Sequence, residues 1–225
     1  MTHLPLIDKT FTWLAAGLML ASLTACSPTW QNVRKEERIK GPVRAYTAVL
    51  PEGWKRAPTD SDVLVITRDG LFLQQISITK FELDEAFPNV ELTADTPPQE
   101  LAQLQLKRFK EEEPDLVEQV DEEKEGLLAL FPVHHAKPLA GTTERIGLKP
   151  FVVDGKEAYR LETRSYNGWG LAYSSQAVGF VHEGDYWVVR YLAPTLHYAQ
   201  RDQASFERFL QNLKLKPKCR LFCSD

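Results

Sequence analysis

The three cysteines of this chain, at positions 26, 219 and 223, have its most reactive side chains. Cys219 and Cys223 lie in CRLFC near the C-terminus. A four-residue spacing in a helical turn brings two α-carbons to about 6 Å, which a disulfide can bridge. The sequence therefore predicts a local disulfide in an oxidising compartment. Free thiols stay open as an alternative, as does a redox or metal role, although the motif is not C-x-x-C.

Two other segments contain residue types that bind metal ions. His134 and His135 could supply one or two ligands, but a closed zinc site needs three or four, and no third histidine lies nearby in sequence. The acidic run from Lys110 to Gly126 lacks the alternating oxygen ligands and the placed glycine of a regular calcium loop. We therefore expect solvated segments here, with no metal site and no cofactor.

The aromatic segment YNGWGLAY, residues 166–173, is the place where a ligand or partner contact is predicted. Tyr166, Trp169 and Tyr173 lie in and beside a glycine-rich loop, where aromatic rings can stack on sugars or hold a partner peptide. Antiparallel strands use the same residue types for cross-strand packing, so that alternative stays open.

Motifs of nucleophilic and nucleotide chemistry are missing from the sequence. Ser174 and Ser175 lie in YSSQAVG, which does not match G-x-S-x-G. The glycines around Trp169 lack the third glycine of a dinucleotide-binding loop. No catalytic residue is predicted, and we expect a protein that is not an enzyme; a hydrolase with an unrecognised site is the enzymatic alternative.

The first 25 residues have the layout of a secretory signal, with a lysine, a short apolar stretch and small residues before Cys26. The apolar stretch is shorter than the roughly 20 residues that cross a bilayer. The box Leu23-Thr24-Ala25-Cys26 resembles that of bacterial lipoproteins. The resemblance implies cleavage before Cys26, a thioether from its sulfur to diacylglycerol, and acylation of the new amine by a chain such as palmitate. An ordinary signal peptide or a cytosolic N-terminal helix is the alternative.

The same resemblance predicts where the protein is located. Aspartate after the lipidated cysteine commonly marks retention in the inner membrane, and this chain has Ser27 instead. We therefore expect a lipid anchor at Cys26 in the outer membrane of a bacterial cell envelope, with the domain facing the periplasm.

The composition fits one folded domain. Hydrophobic residues make up 43% of the chain, and about 200 residues remain after cleavage, enough for one compact core. The 31 acidic and 27 basic residues give a formal net charge of -4. Because nucleic-acid binding needs a basic face, this balance argues against a nucleic-acid partner.

Three turn signals predict a sheet built from hairpins. Asp69-Gly70, Asp154-Gly155 and Glu183-Gly184-Asp185 each separate two strand-like runs, as tight hairpin turns do. Three hairpins give at least six strands, mainly antiparallel. Another strand is predicted near residues 43–50, and two short ones could lie at residues 116–120 and 127–130.

Two helices complete the predicted elements. Thr96 before two prolines is a predicted N-cap, and residues 99–113 continue with apolar side chains at helical spacing. Residues 202–215 form a second amphipathic segment, with its apolar stripe at Phe206, Phe209, Leu210 and Leu213. Hairpins grouped between helices indicate an α+β fold with an antiparallel sheet.

The predicted organisation has four parts. Residues 1–25 form the signal peptide, residues 26–42 the lipidated cysteine and a polar tether, residues 43–216 a single α+β domain, and residues 217–225 a tail with the cysteine pair. We expect a short helix at residues 34–39 of the tether. Fully extended, this tether would span about 50 Å.

The stretches YTAVLPEGWKR, FVVDGKEAYRLETRSY and GDYWVVRYLAP, followed by the closing helix, resemble the PsbP/Mog1/DcrB-like group of α/β/α domains. The resemblance covers most of Val43 to Leu215. It implies a role in binding and assembly rather than catalysis, and it supplies no catalytic residues. We therefore expect a lipid-anchored protein that binds an envelope protein; the alternative is a glycan-binding or small-ligand-binding module that uses residues 166–173.

Overall fold

The computed structural model describes residues 30–41, 45–58, 64–70, 73–87, 89–111, 143–166, 170–197 and 201–217. The compact unit begins at Gln31. Its strands are β1 (Gln31–Asn32), β2 (Glu37–Lys40), β3 (Tyr46–Leu50), β4 (Lys55–Arg56), β5 (Leu64–Thr67), β6 (Gln75–Glu82), β7 (Glu144–Val153), β8 (Lys156–Tyr166), β9 (Ala172–His182), β10 (Asp185–Pro194) and β11 (Lys214–Leu215). Its helices are α1 (Pro98–Glu111), α2 (Thr195–His197) and α3 (Gln203–Asn212).

Eight strands form one large sheet, and three form a smaller one. The order of the large sheet is β1-β4-β5-β6-β10-β9-β8-β7, and the order of the small sheet is β11-β3-β2. Each of the described strand pairs is antiparallel. The predicted α+β class with an antiparallel sheet is confirmed.

Two of the predicted hairpins have tight two-residue turns. Asp154 and Gly155 join β7 to β8 with φ of 48° and 81°, and Glu183 and Gly184 join β9 to β10 with φ of 53° and 80°. Positive φ at both central residues matches the right-handed twist of the flanking strands. Both turns therefore form where the sequence predicts them.

The third hairpin, β5–β6, has a longer loop than a two-residue Asp-Gly turn requires. Its connection spans residues 68–74, because the Thr67 hydroxyl organises a wider turn. This hydroxyl accepts the N–H of Gly70 at 3.0 Å and donates to the carbonyl oxygen of Gln74 at 2.5 Å. The hairpin is as predicted, and its loop is wider.

One face of the large sheet packs against the small sheet and α3. Alternate residues of β5, β6, β9 and β10 point into this first core, as the two-residue repeat of strands requires. The predicted stripe of the C-terminal helix contributes to it: Phe206, Phe209, Leu210 and Leu213 are all buried. The layer that covers this face of the large sheet therefore consists of the small sheet and α3.

The opposite face of the large sheet packs against α1 and the segment before it. Leu101, Ala102 and Phe109 of α1 join Tyr159 and Tyr186 of the sheet in this second core. The helix begins at Pro98, and the carbonyl oxygen of Pro97 accepts the first helical N–H groups. The hydroxyl of Thr96, the predicted N-cap, instead accepts the N–H of Thr93.

The N-terminal part of the unit differs from the predicted tether. Residues 31–32 and 37–40 form β1 and β2, and no helix is present at residues 34–39. Val33 and Ile39 are buried in the first core, because β1 pairs with β4 and β2 pairs with β3. The folded unit therefore begins about twelve residues before the predicted start at Val43.

Candidate functional site

The structure describes two of the three aromatic residues in the predicted contact segment. Tyr166 ends β8, and Tyr173 lies near the start of β9. Trp169 is outside the described residues, as are the predicted lipidation site Cys26, the pair Cys219 and Cys223, and the two adjacent histidines. The roles of these residues stay predictions.

Tyr166 and Tyr173 point to opposite faces of the large sheet. In the β8–β9 register, Tyr173 is paired with Ser165 rather than with Tyr166. Tyr166 lies on the same side of β8 as Ala158 in the first core, whereas Tyr173 lies on the same side of β9 as Ala177 in the second core. Partial burial raises the pKa of Tyr173 above its usual value. The two rings therefore do not form one stacking platform.

Three exposed leucines lie at one end of the large sheet, and we call this surface the leucine end. Leu73, Leu171 and Leu196 are 46%, 40% and 78% exposed. Tyr173 pairs with Pro194 at the end of the β9–β10 ladder, and Leu171 and Leu196 each lie two residues beyond that pair. Leu73 precedes the neighbouring strand β6 by two residues. The register thus places three exposed leucines at the same end of the sheet.

Two ion pairs stabilise the backbone next to the leucine end. Arg68 donates from Nη1 to Oδ1 of Asp202 at 2.6 Å, and Arg201 Nη1 lies 3.0 Å from Oδ2 of Asp69. The side chain of Asp202 is fully buried. These pairs join the β5–β6 loop to the residues just before α3, so the end of the sheet is held from both sides.

The most strongly shifted titratable groups are tyrosines of the cores. The hydroxyl oxygens of Tyr159 and Tyr186 are 2.5 Å apart, and Tyr186 donates to Oε1 of Gln105 at 2.9 Å. Tyr159 therefore donates to Tyr186. Burial raises the pKa of both hydroxyls well above the ordinary tyrosine value. Such groups stay protonated and have a structural rather than an acid–base role.

Several polar and charged side chains of the first-core face contact one another. Arg160 donates to Oε2 of Glu207 on α3 at 2.8 Å and stacks over Phe151, with its guanidinium 4.4 Å from the ring centroid. Gln176 donates to Glu162 at 3.3 Å, and Lys149 lies 3.6 Å from the same carboxylate. The first contact holds α3 on the sheet, and the contacts of Glu162 join neighbouring strands of the sheet.

A shallow groove separates α3 from the small sheet. Its volume is about 210 Å³, and it is open to solvent. Its lining is mostly polar or charged: Glu36, Val49, Pro51, Glu52, Ser205, Arg208, Phe209 and Asn212. Small-molecule sites are usually enclosed and mainly apolar, with volumes of roughly 300–1,000 Å³. The groove therefore does not have the shape of such a site.

Metal sites and membrane-spanning helices are both missing from the described ranges. There, no three histidine, cysteine, aspartate or glutamate side chains come together in a way that could hold a metal ion. None of the described helices is both long enough and apolar enough to cross a bilayer.

The leucine end is the surface feature that sequence reasoning missed. In the sequence, Leu171 and Leu196 look like ordinary apolar residues beside strands, whereas in the structure both side chains are at least 40% exposed at the same end of the sheet. The sequence signal is weak: Leu171 follows Gly170 just before β9, and Leu196 lies two residues after Pro194, the last residue of β10.

The fold is similar to that of known structures, although sequence comparison finds no relative. No protein-family model matches the sequence, and no curated protein does either. The solution structure of cyanobacterial PsbP (CyanoP) from Synechocystis sp. PCC 6803 matches with a TM-score of 0.51 at 13% identity, over 87% of this chain and 99% of that chain.

Two further structures match at lower scores. The Ran-binding protein Mog1p of Saccharomyces cerevisiae has a TM-score of 0.49 at 10% identity, over 82% of this chain and 97% of that chain. LpqN of Mycobacterium tuberculosis, described as involved in cell envelope biogenesis, has a TM-score of 0.41 at 15% identity, over 81% of this chain and 91% of that chain. The match to CyanoP confirms the PsbP/Mog1-like fold that the sequence predicts.

Proposed function

We propose that this protein is a lipid-anchored component of a bacterial cell envelope whose single domain binds another envelope protein without catalysing a reaction. The anchor is the thioether lipid on Cys26, in the outer membrane, and the domain faces the periplasm. The support for the anchor is the box at residues 23–26 and the following serine. Each buried methylene of an acyl chain contributes about 0.8 kcal/mol, so several chains hold a protein on a membrane stably.

The observation that carries the binding role is the leucine end. Single exposed apolar residues are normal on a protein surface, but a group of them at one end of a sheet is typical of an interaction site. Leu196 is the most exposed of the three, at 78%. The adjacent Arg68–Asp202 and Arg201–Asp69 pairs hold the surrounding backbone, so a partner would meet a preformed surface with little loss of conformational entropy.

The described polar groups favour binding over catalysis. Near α3, Arg160 pairs with Glu207, and the buried Tyr159 and Tyr186 form a hydrogen-bonded chain that ends at Gln105 in the second core. The open groove beside α3 has less volume than a typical ligand site. Membrane attachment compensates for a small interface, because it raises the effective concentration of the domain near its partner.

The proposal is tested by site-specific photo-crosslinking of the anchored protein in its own cells. A photoreactive residue replaces Leu196 at the leucine end, and in a control it replaces Val152, which is 62% exposed near the Asp154-Gly155 turn at the other end of the sheet. We expect an adduct of defined mass with one envelope protein from position 196 only. Adducts from neither position, or equal adducts from both, would overturn the assignment of the leucine end.

A further inference from the structure

Basic residues are concentrated in the first part of the mature chain. Residues 27–58 contain seven lysines and arginines and three acidic residues, whereas residues 59–225 contain 19 basic and 27 acidic residues. The protein as a whole is acidic, so this segment has the opposite sign to the rest of the chain. Basic residues that share one surface of a folded protein can attract an anionic partner.

The fold places four described basic residues of this segment in one short stretch of the surface. Arg34 and Lys35 lie in the connection between β1 and β2, and Arg38 and Lys40 lie on β2, on the side opposite the buried Ile39. We call this surface the entry edge, defined by four exposed side chains: Arg34, Lys35, Arg38 and Lys40.

The nearby carboxylates only partly cancel this charge. Glu36 Oε1 already accepts a hydrogen bond from Arg208 Nη1 at 3.4 Å, which leaves Glu37 and Glu52 as the other acidic residues of the segment. Within the described part of the chain, none of the four basic side chains of the entry edge forms an ion pair. The entry edge therefore presents a net positive charge to solvent.

The anchor position brings this surface close to lipid. The compact unit begins at Gln31, five residues after Cys26. At about 3.4 Å per residue, the anchored cysteine can lie at most about 17 Å from the start of β1. The negative potential of a membrane surface extends over a Debye length of about 8 Å at physiological salt. So short a connection allows the entry edge to reach the headgroups.

We propose that the entry edge rests on the anionic phospholipid headgroups of the leaflet that holds the anchor. This inference rests on the proposed lipid anchor at Cys26. It orients the domain: β1 is at one edge of the eight-stranded sheet and β7 is at the other, about 34 Å away at 4.8 Å per strand. The strand β7 then points away from the lipid, and the leucine end remains accessible to a partner beside the membrane.

Hydrogen exchange on the full lipidated protein tests this orientation. The protein is reconstituted in phosphatidylcholine vesicles with and without phosphatidylglycerol. We expect amides of residues 33–41 to exchange several-fold more slowly when phosphatidylglycerol is present, with the difference removed by high salt, while amides of β7 exchange equally in both. Equal exchange of residues 33–41 in the two compositions, or slowing confined to β7, would overturn the proposal.

A matched pair of variants tests the charge itself. Arg38→Gln with Lys40→Gln removes two charges from the entry edge, and Lys149→Gln with Lys156→Gln removes two exposed charges at the opposite edge. A chain that begins at Ser27 keeps all described strands and helices, so its partitioning into phosphatidylglycerol vesicles can be measured without the anchor. Partitioning should fall about 30-fold for the first pair and stay unchanged for the second. An equal fall for both pairs would contradict a specific surface.

The failure of this inference is distinguishable from the failure of the proposed anchor. Mass spectrometry of the purified protein reports whether Cys26 carries lipid, whatever its surface binds. An unlipidated protein that still partitions through the entry edge would refute the anchor alone. A lipidated protein without composition-dependent protection would refute the entry edge alone.

Discussion

Gly179 on β9 lies directly opposite Tyr159 on β8, and the tyrosine ring fills the space that any side chain at position 179 would need. A Cβ at this glycine would overlap the atoms of the ring. The ring cannot move aside freely, because its hydroxyl donates to Tyr186 in the second core. Glycine is therefore required at position 179, because the Tyr159 ring of the neighbouring strand packs directly against its backbone.

We predict that Gly179→Ala lowers the free energy of unfolding by about 1–3 kcal/mol, as overpacking of a core does. Urea denaturation of the purified domain measures the change. Gly147→Ala is the matched control, since the nearest atom to a Cβ there is 3.5 Å away in Glu162. The control should change stability by less than about 0.5 kcal/mol. Similar effects of the two substitutions would contradict the packing argument.

Asp154, in the β7–β8 turn, holds the C-terminal strand β11. Its Oδ1 accepts from Lys214 Nζ at 3.0 Å, and its Oδ2 accepts the backbone N–H of Leu215 at 2.9 Å. The hydrogen bond from Lys214, followed by that from Leu215, lowers the pKa of this carboxyl below 3.8. The stabilisation is therefore complete at pH values above 3.8 and is lost as the pH falls through the lowered pKa.

We predict that Asp154→Asn destabilises the protein by about 0.5–1 kcal/mol at pH 7, and that the difference from the unsubstituted protein shrinks at about pH 2. Asparagine tolerates the positive φ of this position, so the turn itself is retained. Urea denaturation at both pH values provides the measurement. A difference that is independent of pH would show that the charge of Asp154 does not contribute.

The predictable parts of the fold are those with local causes. The Asp154-Gly155 turn and the stripe of Phe206, Phe209 and Leu210 follow from neighbouring residues, and both are confirmed. The strands β1 and β2 have two and four residues, and their pairing depends on β4 and β3 rather than on their own polar sequence. Val33 and Ile39 are the only buried hydrophobic residues in β1, β2 and their connection, so the sequence predicts a tether there.

The candidate site is hard to predict for the same reason. Leu73, Leu171 and Leu196 lie at the same end of the sheet through the register of β6, β9 and β10, which no local pattern determines. Likewise, Tyr166 and Tyr173 are close in sequence, yet the two-residue repeat of strands places them on opposite faces of the sheet. Residue types indicate where contacts could form. Only the pairing between distant strands decides which of these residues share a face or an end of the sheet.

The proposed lipid anchor predicts a specific loss of labelling. Cys26→Ser removes the sulfur required for the proposed thioether, so cells grown with a fatty-acid analogue should label the unsubstituted protein and not the variant. Ser27→Asp is the control: it should keep the label and shift the protein to the inner-membrane fraction. A labelled Cys26→Ser variant would contradict lipidation at this position.

The C-terminal cysteine pair predicts a definite thiol count. The predicted disulfide between Cys219 and Cys223 implies that the mature protein, lipidated at Cys26, shows no alkylatable thiol without reductant and two after reduction. Mass spectrometry of the alkylated protein gives the count. The Cys219→Ser variant should expose one thiol, at Cys223, without reductant. Two thiols in the unreduced, unsubstituted protein would exclude the disulfide.

The ion pair between Arg68 and Asp202 predicts an asymmetric response to substitution. The Asp202 side chain is fully buried, whereas that of Arg68 is 37% exposed. Arg68→Met leaves a buried carboxylate without its partner and should reduce the free energy of unfolding by about 3–5 kcal/mol. Asp202→Asn leaves an arginine that water can still solvate, so its effect should be smaller, about 1–2 kcal/mol.

Urea denaturation of the two single variants and of the double variant measures this asymmetry. The double variant should be more stable than Arg68→Met alone, because it contains no unpaired buried charge. The control is Arg208→Gln, which breaks the exposed pair with Glu36 and should change stability by less than about 1 kcal/mol. If Asp202→Asn destabilises the protein as much as Arg68→Met does, the hydrogen bond that joins the β5–β6 loop to the residues before α3 matters more for stability than the burial of the carboxylate.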